Sequence, residues 1–94
     1  MSALWIAHSV VTDHDAYHEY ARHAKEVIAA HGGEFLVRSG TYRQLEGEDR
    51  PRNVVVRFPS LEAAVACYES PDYQSALEHL KGAADRNLVI VEEL

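Results

Sequence analysis

Three observations predict an α+β fold with the element order βαββαβ. Val54, Val55 and Val56 are consecutive β-branched residues, the mark of a strand covered on both faces. Phe58-Pro59-Ser60 and Ser70-Pro71 follow, each joining a proline to a side chain able to cap a helix. Earlier in the chain, Tyr17, Tyr20, Ala21, Ala24, Val27, Ile28 and His31 recur at helical spacing and end at Gly32-Gly33.

In order, residues 3–10 form the first strand, apolar on both faces except at His8 and Ser9. Thr12 is the expected cap of the first helix, with Asp13 and Asp15 complementing its dipole. The second strand is expected over residues 34–45, with Gly40 marking a bulge or bend within it. A polar turn over residues 46–51 leads to the third strand, which starts at Arg52. Two short helices carry Leu61, Ala64, Val65 and Tyr68, then Tyr73, Ala76, Leu77 and Leu80, and Lys81-Gly82 closes the second. The last strand spans residues 87–93. This order is the ferredoxin-like, split βαβ arrangement: a four-stranded antiparallel sheet with its helices on one face.

Ninety-four residues leave room for one domain only, residues 1–94. Three strands are apolar on both faces, yet the helices cover one. The uncovered face predicts an interface, and a second copy of the chain related by a two-fold axis is its simplest cover. A formal charge of −6 argues against nucleic acid as a partner. No apolar run approaches the roughly 20 residues of a membrane span, and no signal peptide is visible. Cys67 is the single cysteine, so a cytoplasmic location is expected.

The motifs together resemble a known family. Trp5-Ile6-Ala7, Tyr17-x-x-Tyr20, Gly32-Gly33-x-Phe35-Leu36-Val37-Arg38, Phe58-Pro59-Ser60 and Ser70-Pro71-x-Tyr73-Gln74 resemble the uncharacterised domain-of-unknown-function family 1330 over nearly the whole chain. His8 and Lys81 depart from it, standing where arginine is expected. The resemblance implies a dimeric α/β-barrel, two ferredoxin-like subunits joined sheet to sheet. It implies no single reaction, because the wider superfamily holds cofactor-free monooxygenases, dehalogenases, isomerases and haem-degrading enzymes.

Several side chains are candidates for chemistry, each beside a plainer role. His8 interrupts an apolar strand and is the candidate catalytic base; its alternative is a core or interface histidine. Arg38 is a candidate for binding a ligand carboxylate, or for pairing with Glu46 or a partner's acid. Tyr20, Tyr68 and Tyr73 either line a ligand pocket or pack the core. The expected site places His8 in one pocket with Tyr20 or Tyr73, and Arg38 at its mouth. Arg57 is expected to form an ion pair between subunits.

His14 and His18 share a helical spacing able to bind metal, but no metal is expected from two ligands alone. Cys67 has nothing beside it to make a thiolate. Phosphate loop, nucleophile elbow and Cys/His framework are all missing, and no cofactor is expected. The sequence therefore predicts a homodimer binding a small organic molecule, with cofactor-free oxygenase or isomerase chemistry if it is an enzyme. A non-catalytic ligand-binding or stress-related module, and a purely structural dimer, are the alternatives.

Overall fold

The computed structural model describes residues 1–94. The elements are β1 (Ala3–Val11), α1 (His14–Ala30), β2 (Glu34–Arg38), β3 (Arg52–Phe58), α2 (Leu61–Glu69), α3 (Pro71–Leu80) and β4 (Ala84–Glu92). The four strands form one sheet in the order β2-β3-β1-β4, with every neighbouring pair antiparallel. This is the ferredoxin-like topology, with α2 and α3 together occupying the place of the second helix.

Capping chemistry sets the helix boundaries. Ser60 Oγ accepts from the Ala63 amide and Ser70 Oγ from the Tyr73 amide, each satisfying an orphan donor of a first turn. At α1 the cap is Asp13, whose carboxylate accepts from the Ala16 amide at 3.1 Å; it is not Thr12. Thr12 is instead turned to the Gly82 carbonyl. After α1, Gly32 takes φ +83°, and Gly33 allows a close approach. A Cβ on Gly33 would meet the Ile28 carbonyl oxygen at 2.9 Å and Phe58 at 3.0 Å, so only glycine lets the helix end pack on β3.

Two strand boundaries differ from expectation. β2 stops at Arg38 rather than residue 45. Ser39 turns the chain out of the sheet at φ +55°, and no partner strand is left for Thr41 to Leu45, because β3 begins at Arg52. The residues between are tied locally, by Tyr42 to Asp49 and by Gln44 to the Glu46 carbonyl. The register irregularity lies between Phe35 and Val37, not at Gly40. β4 begins at Ala84, three residues earlier than expected, which brings Arg86 into the sheet.

Alternation along the strands sorts the two faces. Ala3, Trp5, Ala7 and Ser9 of β1 are buried under the helices, as are Val56 and Phe58 of β3. The core joins them to Tyr17, Tyr20, Ala24 and Ile28 of α1 and to Ala64, Cys67, Tyr73, Ala76 and Leu80 of α2 and α3. Leu4, Ile6, Val55, Val89 and Val91 lie on the other, helix-free face, where Ile6 is flanked by Val55 and Val89. Val89 is 55% and Val91 47% exposed there.

Candidate functional site

Small side chains open a cavity beneath α1. Trp5 fills the sheet-to-helix space toward α2 and α3, lying within 5.2–5.9 Å (ring centroids) of Phe58, Tyr68 and Tyr73. Further along β1 the small residues Ala7 and Ser9 point the same way, and α1 answers them with Ala21 and Ala24. Small faces small, and a cavity of about 60 Å³ remains. Ile28, Phe35, Val54, Tyr17 and Tyr20 complete its wall.

The charged groups of this cavity are all cationic. Lys25, Arg38, Arg52 and Arg86 line it: four of the chain's nine Lys and Arg residues, and none of its fifteen acids. Arg52 lies over the Tyr17 ring at 4.4 Å, and its buried Nε–H has no hydrogen-bond partner. Arg38 lies over the Phe35 ring at 5.2 Å. The irregularity at Leu36 is what brings it there, since strict alternation from Phe35 would send Arg38 to the opposite face.

Arg86 organises the inner end. It donates through Nη1 to the Tyr20 hydroxyl at 2.8 Å and through Nη2 to the Tyr73 hydroxyl at 3.3 Å. The two hydroxyls are themselves 2.5 Å apart. Burial pushes the Tyr20 phenol above its usual value, with Arg86 opposing the rise. Burial also raises Tyr73, and the neighbouring Tyr20 adds to the rise. Both phenols are therefore protonated at neutral pH. Burial works against the Arg86 charge, but its two phenol partners outweigh it and the guanidinium is held protonated.

The expected residues divide between the two faces. Tyr20 and Arg38 do line one cavity, and Tyr73 backs it from a fully buried position through its bond to Tyr20. Tyr68 lies outside it, packed against Trp5 and Tyr73. His8 is on the other face of the sheet. Its neighbours Ala7 and Ser9 look into the cavity, so within one subunit His8 shares no pocket with either tyrosine. It sits instead between Asn53 and Asn87, with Asn87 Nδ2 at 3.5 Å from its Nε2.

Arg57 also departs from expectation. It pairs within the chain, with Glu93 at 2.9 Å, on the helix-free face. Cys67 is fully buried, and burial pushes its thiol up to about 11. No group of three or more His, Cys, Asp or Glu side chains is placed to hold a metal, and no helix is long and apolar enough to cross a membrane.

Arg52 and Arg86 were not singled out by sequence reasoning. Period-two alternation carries the signal for both: Arg52 is in phase with Val54, Val56 and Phe58, and Arg86 with Leu88 and Ile90.

Comparison with known proteins gives the chain its relatives. A protein of unknown function from Rhodopseudomonas palustris, RPA0582, aligns with a TM-score of 0.81 at 22% identity, covering 99% of this chain and 82% of that one. A dimeric ferredoxin-like protein of unknown function from Thermobifida fusca aligns with a TM-score of 0.66 at 20% identity, covering 99% and 92%. SnoaB, a cofactor-independent oxygenase from Streptomyces nogalater, aligns with a TM-score of 0.67 at 10% identity, covering 99% and 93%. At these identities the likeness is one of fold. No curated protein matches the sequence. The model of the family described as "domain of unknown function (DUF1330)" matches residues 2–94, and the chain belongs to that family.

Proposed function

We propose that this protein is a homodimer whose subunits each bind a small organic molecule in the cavity between α1 and the sheet. The observation that carries the reading is the wall chemistry: an apolar cavity in which a few polar groups converge, one of them a buried donor without a partner. Tyr20 and Arg38 are the ligand-contacting residues, with Tyr73 holding Tyr20 in place. Tyr68 supports the site only through its packing on Tyr73.

The dimer reading rests on the helix-free face. A contiguous surface of Leu4, Ile6, Val55, Val89 and Val91 is of the kind that marks an interface. Relatives of the same fold are described as dimeric, which supports sheet-to-sheet association here. In that arrangement His8 belongs to the interface, where Asn53 and Asn87 flank it, rather than to the cavity of its own subunit.

A second reading is an enzyme with cofactor-free oxygenase or isomerase chemistry. The likeness to a cofactor-independent oxygenase favours it, as does Tyr20, a phenol polarised by Arg86 at the cavity wall. Native mass spectrometry of gently purified protein tests the first reading. The expected species is a dimer carrying a small molecule that is lost on denaturation. A monomer that takes up no compound from a panel of small organic acids, phenols and neutral analogues would sink it. Oxygen uptake or substrate isomerisation that is lost in Tyr20→Phe would decide for the enzyme.

A further inference from the structure

We infer that the cavity selects an organic anion, a short-chain carboxylate in size and charge, received by the Tyr20 hydroxyl and the Arg52 guanidinium. The inference rests on the ligand-pocket reading and adds the chemical class of the ligand and the atoms that recognise it.

The direction of the Tyr20 proton follows from hydrogen-bond accounting. Tyr73 is fully buried, and its hydroxyl touches only the Tyr20 oxygen and an Arg86 N–H. Arg86 can only donate, so the one acceptor open to the Tyr73 proton is the Tyr20 oxygen. The opposite arrangement would strand the Tyr73 O–H in a sealed core, at a cost of about 1–3 kcal/mol. Tyr20 therefore accepts from both Tyr73 and Arg86, and its own O–H has no protein acceptor left. Tyr20 lines the cavity, and the free donor is available there.

Arg52 supplies the second donor. Its Nε–H is buried and unpaired, and its guanidinium is held against the Tyr17 ring, next to Tyr20. A neutral ligand could accept from these groups through a carbonyl oxygen but would leave the guanidinium charge uncompensated. A carboxylate offers two acceptor oxygens and one negative charge, which matches both donors and the positive wall. Arg38 and Lys25 add positive potential, and no lining acid cancels it. Within a chain of net charge −6, this is a local reversal of sign.

Size narrows the class. One water takes about 10–15 Å³ of such a volume, so about 60 Å³ admits roughly four to six heavy atoms. Butyrate has six, and its alkyl end would meet Ala21, Ala24 and Phe35.

The test is an NMR titration of the intact protein with butyrate and, separately, with butyramide, its neutral counterpart. Butyrate should produce saturable shifts at Ala21, Ala24 and Phe35, with butyramide at least about tenfold weaker. Arg52→Gln and Tyr20→Phe should each weaken butyrate by roughly ten- to a hundredfold and butyramide by less, since only the acid also loses a charge-assisted contact. Well-dispersed amide spectra confirm that each variant is folded, and either variant alone suffices if the other is not. Equal binding of acid and amide would overturn anion selection and leave the pocket standing. No saturable shift from either compound would overturn anion selection and count against the pocket itself.

Discussion

The hydroxyls of Tyr20 and Tyr73, carried by different helices, meet at 2.5 Å inside the core, and Arg86 from the edge strand donates to both. The proton order of this trio makes the two tyrosines unequal. Removing the Tyr73 hydroxyl leaves Tyr20 still bonded to Arg86 and should cost about 1 kcal/mol. Removing the Tyr20 hydroxyl strands the buried Tyr73 O–H and should cost about 1–3 kcal/mol. Urea unfolding of Tyr20→Phe and Tyr73→Phe compares them directly. A larger loss in Tyr73→Phe would show that the protons run the other way.

Arg52 and Arg86 should respond in opposite fashion to loss of charge. Arg86 makes two hydrogen bonds to buried phenols, so Arg86→Met should cost at least about 2 kcal/mol. Arg52 has an unpaired buried donor and one ring contact, which offset each other. Arg52→Met should leave stability within about 1 kcal/mol of the parent while weakening carboxylate binding roughly ten- to a hundredfold. On the ligand-pocket reading, Arg52 is a group that binding uses and folding does not. Equal destabilisation by the two variants would remove that distinction.

The sequence carried the fold further than the site. Cap residues and apolar runs are local signals, and Ser60, Ser70, Pro71 and the valines of β3 were legible because each acts on its own few neighbours. β2 was overextended because Thr41, Tyr42 and Leu45 have strand-forming side chains but no strand to pair with, which is a tertiary fact. His8 and Arg38 depended on which strand face the helices cover. Alternation put His8 with Leu4 and Ile6 correctly, but only packing shows that the covered face is that of Trp5. Arg38 reaches the cavity through the irregularity at Leu36, which no residue there announces. The cavity itself arises from small residues 14 positions apart, Ala7 and Ala21, meeting across two elements.

Acid should unfold the protein partly through Glu93. Hydrogen bonds from Arg57 and Ser2 hold its carboxyl below the usual value of 4.5. A depressed folded-state pKa means the unfolded chain takes up the proton first as pH falls. The pair's contribution is therefore complete above the unfolded value and is lost as pH drops through the folded one. Melting temperatures of the parent and Glu93→Gln should differ at pH 6 and converge as pH falls through the depressed folded-state value. A gap that is constant from pH 6 to pH 3 would show that the carboxylate charge is not what matters.

Association is tested most cleanly at Val89. Val55 sits between strands and would confound folding with assembly, whereas Val89 is 55% exposed in the subunit and paired beside Ile6 on the helix-free face. An aspartate there remains solvated in an isolated subunit, so the subunit fold should survive. In a sheet-to-sheet dimer the same carboxylate is buried without a partner, at a cost on the order of 3–5 kcal/mol for each copy. Two-fold symmetry places one such charge from each subunit in the interface, so the penalties accumulate. Sedimentation should then show the parent at twice the 10.5 kDa chain mass and Val89→Asp at the single-chain mass. The parent's melting temperature should rise with concentration, and the variant's should not, because only the dimer couples folding to assembly. A monomeric parent at ten micromolar, or a variant that still sediments as a dimer, would mean that the apolar sheet face is covered in some other way.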